Sequence, residues 1–235
     1  MQTILNRLKG KLVVSCQALE DEPLHSAFIM SRMAVAAEQG GASGIRANSV
    51  VDIEAIKQQV PLPLIGIIKR DYPDSEVYIT PTLREVDELM RVAPEIIALD
   101  ATDRVRPGGL TLSELVAQIR ARYPSVLLMA DVSTVAEAKT AQALGFDCVG
   151  TTLYGYTPAT AGHRLPEEDC RLLREVIAAV SVPVIAEGNV GTPELAARCL
   201  ALGAHAVVVG GAITRPQQIT ARFVAAIHAQ STDGA

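Results

Sequence analysis

The stretch VPVIAEGNVGTPELAARCLALGAHAVVVGGAITRP, residues 182–216, decides how the chain folds. Its two ends, VPVIAEGNV (182–190) and AVVVGGAITRP (206–216), are β-branched runs that break into glycine where a parallel strand would leave a sheet, with a helical segment between them. That is the layout of an anion cradle. The amides of Gly188, Gly210 and Gly211 have no Cβ in front of them, and Arg215 adds a charged fork at the entry to the last helix. Glu187 stands directly before the first of these glycines, where packing has no use for a carboxylate.

The same strand-loop-helix unit recurs upstream. Apolar runs that turn polar at their ends predict strands over 12–17, 42–48, 64–69, 96–100, 126–131, 148–152, 184–187 and 206–210. Helical patterns follow them over 25–39, 51–59, 82–92, 111–122, 134–144, 167–180, 193–202 and 217–230. Residues 1–9 read as a short helix that closes the bottom of a barrel, and 231–235 as a frayed tail. Strands alternating with helices predict an α/β fold with a parallel sheet, and eight such units in 235 residues predict a single-domain (β/α)₈ TIM barrel. A doubly wound open sheet has the same periodicity, but no GxGxxG opens the first unit to favour it.

Composition narrows the function. A net charge of −5 without a basic tail or stripe predicts that neither nucleic acid nor an anionic membrane is a partner. No apolar run approaches the length of a membrane span, and the N-terminus lacks a secretory core. The four cysteines (Cys16, Cys148, Cys170, Cys199) lack metal-ligand spacing, which fits a reducing cytoplasm and predicts no metal site. Dimerisation through the barrel helices is expected on general frequency alone.

In a barrel, the strand ends face one mouth, and here they supply Gln17, Arg46, Lys69, Asp100, Asp131, Glu187 and the Gly210–Gly211 backbone. Asp100 and Asp131 also read as ordinary loop or cap residues. Lys69 closes an aliphatic run, where burial and Arg46 lower its proton affinity while carboxylates raise it. Lys69 and Glu187, four strands apart, flank any small phosphorylated ligand and suit proton transfer at a carbon next to a carbonyl. The loop 70–81 reads as a lid or binding loop, and the long loop after residue 152 carries Tyr154, Tyr156, Thr157 and His163. Of the four histidines, only His163 is placed to approach a ligand.

Eight blocks in barrel order then carry a resemblance. VVSCQALEDEPL (13–24), GIRAN (44–48), GIIKRDYPDSEVYITPT (66–82), ALDATDRVRP (98–107), MADVST (129–134), GTTLYGYT (150–157), AEGNV (186–190) and VVVGGAITRP (207–216) resemble the bacterial N-acetylmannosamine-6-phosphate 2-epimerases of sialic acid catabolism. The resemblance implies a TIM barrel that interconverts N-acetyl-D-mannosamine 6-phosphate and N-acetyl-D-glucosamine 6-phosphate without a cofactor. It implies Lys69 and Glu187 as the catalytic pair. Gln17, Arg46, Asp131, Thr152 and Tyr154 then bind the sugar, and Gly188, Asn189, Gly210, Gly211 and Arg215 bind the phosphate. From the residues alone, another sugar-phosphate isomerase, aldolase or decarboxylase remains open, as does a non-catalytic binding module.

Overall fold

The computed structural model describes residues 4–232. Eight parallel strands close into a barrel in chain order: β1 (Lys11–Cys16), β2 (Gly44–Asn48), β3 (Leu64–Ile67), β4 (Ile96–Asp100), β5 (Leu127–Asp131), β6 (Cys148–Gly150), β7 (Val184–Ala186) and β8 (Ala206–Val209). The seam is the β1–β8 pairing, with Val13 opposite Val208. Closure replaces the open-sheet alternative.

Side chains alternate along each strand, so the apolar runs feed two cores. Val13, Ile65, Ile67, Ile96, Ala98, Met129, Cys148, Ile185, Ala206 and Val208 form one buried cluster that fills the barrel. Strand residues of the opposite parity, among them Val14, Ile45, Leu64, Ile97, Leu128 and Val207, pack outward in a second cluster with the helices. Following the inward parity beyond the ladder leads to Gln17, Lys69, Thr152, Glu187 and Gly210. This is why the apolar strands end in polar groups at one mouth. The other end is stopped by α1 (Ile4–Leu8), whose Leu8 is fully buried against the interior cluster and whose Leu5 carbonyl faces Nε2 of His205 at 2.7 Å. The expected N-terminal helix is thus present over its described part, and residues 1–3 of that expectation lie outside the described residues.

The outer layer consists of α2 (Ala27–Gln39), α3 (Val50–Lys57), α4 (Leu83–Met90), α5 (Leu112–Arg122), α6 (Val135–Ala143), α7 (Glu167–Ala179) and α8 (Pro193–Ala201), with α10 (Pro216–Thr232) after the single turn α9 (Gly211–Thr214). Each predicted helix is found with its ends shifted by no more than two residues: most are trimmed, whereas α3 begins one residue earlier and α10 extends past the prediction at both ends. Ser26, Ser49 and Thr192 cap α2, α3 and α8. Reciprocal Thr/Glu capping boxes close α4 (Thr82, Glu85), α5 (Thr111, Glu114) and α6 (Thr134, Glu137). By contrast, α9 starts at Gly210 with no side-chain cap and no acid in its first turn. The tail expected from 231 onward is helical to Thr232, and 233–235 lie outside the described residues. Among the described residues, no helix is long and apolar enough to cross a membrane.

The loop over 70–81, expected to be a lid or binding loop, is tied down. Antiparallel bridges join Lys69 to Ile79 and Tyr72 to Ser75, and Arg70 pairs with Glu85 and Glu88 of α4. It is a hairpin held against the barrel, and it brings Tyr78 and Ile79 to the mouth.

Candidate active site

A cavity of about 500 Å³ opens at the C-terminal ends of the strands. Gln17, Arg46, Lys69, Thr152, Glu187, Gly188, Asn189, Gly210, Gly211 and Arg215 all line it, so the strand-end residues and the glycine loops converge as the sequence predicts.

Arg46 is the centre of its floor. Its side chain is 1% exposed, and its guanidinium donates to Asp131 (Nη2–Oδ2 2.6 Å, Nη1–Oδ1 3.0 Å) and to Glu187 (Nη1–Oε2 2.9 Å). Its Nε is a buried donor with no acceptor among the described residues. Thr152 Oγ1 lies 2.6 Å from Asp131 Oδ1 and 3.2 Å from Glu187 Oε2, joining the two carboxylates from the other side. Gly150 makes room for this cluster, since a Cβ there would sit 2.3 Å from Met129 Cε and 3.0 Å from Thr152 Oγ1.

Burial sets the proton affinities. Lys69 is pushed down to about 8, first by desolvation and then by the charges of Arg46 and Arg215, with Glu187 and Glu22 opposing. The Glu187 carboxyl moves the other way: burial and the neighbouring Asp131 raise it above the usual carboxylate range, against the pull of Arg46. A lysine poised to lose its proton and a glutamate poised to keep one share a single cavity. The lysine is held at its backbone, where its amide donates to Asn48 Oδ1 at 2.8 Å.

The glycine wall is built from backbone. Gly188 (φ +97°) and Asn189 (φ +56°) are consecutive left-handed residues, and both line the cavity. A Cβ on Gly188 would press on the Thr151 and Thr152 carbonyls at 3.2 Å, so glycine is required both by conformation and by space. Gly210 packs on Ser15, and Thr214 Oγ1 donates to the Ser15 carbonyl at 2.7 Å, tying α9 to β1.

Several expected residues lie elsewhere. Asp131 is fully buried behind Arg46 and does not line the cavity. Tyr154 is 8% exposed and stacked on His163 at 5.8 Å, also off the cavity, and Tyr156 lines it in its place. His163 itself faces Glu167 at 3.1 Å on the surface. Asp100 shares the inward parity, but its carboxylate accepts from Thr102 and Arg104, which makes it an organiser of its own loop. Sequence reasoning misses Tyr78, Arg164, Gln218 and Arg222, which also line the cavity. Only the helical phase of Gln218 and Arg222, four apart on α10, offers a signal.

A closed α/β barrel with a glycine-lined anion wall beside a buried lysine, glutamate and arginine defines the class: a (β/α)₈ barrel whose mouth suits a small anionic ligand and acid–base chemistry. Within that class, the chain belongs to the NanE family, whose model, described as "Putative N-acetylmannosamine-6-phosphate epimerase", matches residues 30–229. Two relatives are named "Putative N-acetylmannosamine-6-phosphate 2-epimerase". The protein from Enterobacter sp. (strain 638) is 78% identical across the whole of both chains. That from Shouchella clausii (strain KSM-K16) is 62% identical over 97% of this chain and 100% of its own. Among solved structures, the N-acetylmannosamine-6-phosphate 2-epimerase from Clostridium perfringens superposes with a TM-score of 0.89 at 56% identity, covering 94% of this chain and 95% of that one. Thiamine phosphate pyrophosphorylase from Pyrococcus furiosus (TM-score 0.60, 18% identity, 90% of each chain) shares the fold alone.

Proposed function

We propose that this protein interconverts N-acetyl-D-mannosamine 6-phosphate and N-acetyl-D-glucosamine 6-phosphate by moving a proton at C2, without a redox cofactor, within sialic acid catabolism. The carrying observation is the shared cavity of Lys69 and Glu187 with opposite shifts in proton affinity, next to the glycine wall. In the open-chain sugar the C1 aldehyde acidifies the C2–H bond. Neutral Lys69 takes that proton, and the electron pair moves into a C1=C2 enolate whose oxygen is met by Arg46 and Gln17. Return of a proton to the opposite face completes the inversion, with Glu187 handling this proton or that of ring opening. Gly188, Asn189, Gly210, Gly211 and Arg215 hold the phosphate, Thr152 orients Glu187, and Asp131 acts through Arg46.

The test is C2 exchange in deuterated water, read by NMR. The native enzyme incorporates deuterium at C2, and Lys69→Ala loses exchange by about a thousandfold. Undiminished exchange in the lysine variant would sink its role as the base. Carbon–carbon cleavage products in place of the epimer would assign the barrel to a different chemistry.

The finer assignments belong to the same proposal. The chain acts as a single domain in the cytoplasm, in keeping with four free, buried thiols. Its negative net charge speaks against nucleic acid and anionic membrane. A second copy of the chain covers the outer face of α10, where Phe223 (70%) and Val224 (45%) stand exposed. No metal is required, because the aldehyde itself supplies the acidity at C2.

A further inference from the structure

A carboxylate is the group an anion site should exclude, yet one is anchored against this site. Glu22 lies in the loop between β1 and α2, off the cavity surface, and its side chain is 16% exposed. Its Oε1 accepts from Arg215 Nε at 2.6 Å and from Gln217 Nε2 at 3.1 Å. Its Oε2 accepts from Arg215 Nη2 at 3.0 Å and from the backbone amide of Leu19 at 2.8 Å. The carboxylate is thereby saturated, and the loop that carries it is folded back by the Glu22 amide donating to the Leu19 carbonyl at 2.9 Å.

The consequence falls on Arg215, which lines the cavity. Two of its three nitrogens are bound in a side-on fork, leaving Nη1 and the outer hydrogen of Nη2 for another acceptor. A long side chain held this way has lost its rotamer freedom before any ligand arrives, so less ordering is required on binding. Resting on the phosphate-cradle reading above, we propose that Glu22 is a positioning residue for the substrate phosphate: it fixes the Arg215 guanidinium with one donor edge free. Arg215, in turn, holds the Glu22 carboxyl below its ordinary range, so the clamp stays ionised in neutral solution. Glu22 touches no substrate: its effect on the phosphate passes through Arg215, and its charge separately raises the proton affinity of Lys69.

A double-variant cycle tests this, with KM, kcat and competitive inhibition by inorganic phosphate measured for Glu22→Ala, Arg215→Ala and both together. We expect Glu22→Ala to raise KM and the phosphate inhibition constant by about tenfold while kcat stays within about twofold. In the Arg215→Ala background, the second change should add nothing. Multiplicative losses in the double variant would overturn the proposal, as would tighter phosphate binding by Glu22→Ala. If Arg215→Ala alone leaves KM and phosphate inhibition at native values, the cradle reading fails and takes the proposal with it. Glu22→Gln keeps the side-chain volume but cannot accept the full fork, and it should show the same rise in KM should the alanine variant not fold.

Discussion

Arg46 decides how the floor of the site behaves, because one buried cation serves two buried carboxylates. Removing it leaves Asp131 and Glu187 facing each other without compensation. Arg46→Met should therefore destabilise the fold by about 3–5 kcal/mol, measured by urea unfolding. The loss should be smaller at pH 5 than at pH 8, since Glu187, raised by burial, takes a proton in acid and relieves the repulsion. Lys69 gives the complementary signature. Its ammonium is destabilised by burial, so the neutral form accumulates above about 8 rather than near 10.5. As a base it needs that neutral form, so log kcat/KM should rise with unit slope up to pH of about 8 and then level off. A profile flat across that range would remove Lys69 from the proton-transfer step.

At the level of elements, close contacts and caps fix how helices meet the barrel. Gly66 of β3 faces Pro94, and a Cβ there would lie 2.7 Å from Pro94 Cγ and 3.0 Å from Pro94 Cβ. A proline ring cannot swing away, so Gly66→Ala should cost about 1–3 kcal/mol in an unfolding titration. All eight repeats are legible in the sequence because burial on both faces leaves an apolar run that only a covered parallel strand produces. Their ends are less so. The periodicity places Thr82 inside a helix, but its backbone is extended (φ −136°, ψ 174°) because a cap must turn its side chain back onto the helix. The apolar runs likewise carry Lys69, Thr152 and Glu187 into strands that stop before them, since a ladder ends where its partner turns away. Strand-end chemistry is readable because parity carries it to the mouth. Tyr78 and Arg164 are not, because a hairpin and a loop bring them there by tertiary path alone.

At the scale of the whole molecule, charge is unevenly spread. The chain carries −5 overall, while Arg46, Lys69, Arg164, Arg215 and Arg222 gather at one cavity. Encounter with a sugar phosphate should therefore be steered: kcat/KM should fall several-fold as ionic strength rises from about 0.05 to 0.5 M, with kcat unchanged. Dialysis against EDTA should leave activity intact. The exposed face of α10 predicts that Phe223→Asp converts a dimer to a monomer in sedimentation velocity, and a native protein that sediments as a monomer would refute the dimer.

The helix caps bear on the same steering. In this topology the helices begin on the side where the strands end, so their positive dipole ends surround the mouth. The glutamates of the three capping boxes quench α4, α5 and α6 locally, whereas α9 begins in bare glycine amides beside Gly188 and Asn189. Acids also stand in the first turns of α3, α7 and α8, whereas α2 and α9 begin without one. On the phosphate reading proposed above, an incoming sugar phosphate should be drawn by its anionic end toward the start of α9, with its carbonyl end left toward Lys69. The glutamates that cap α4, α5 and α6 thus bear on the charge that the mouth presents as well as on the stability of their helices.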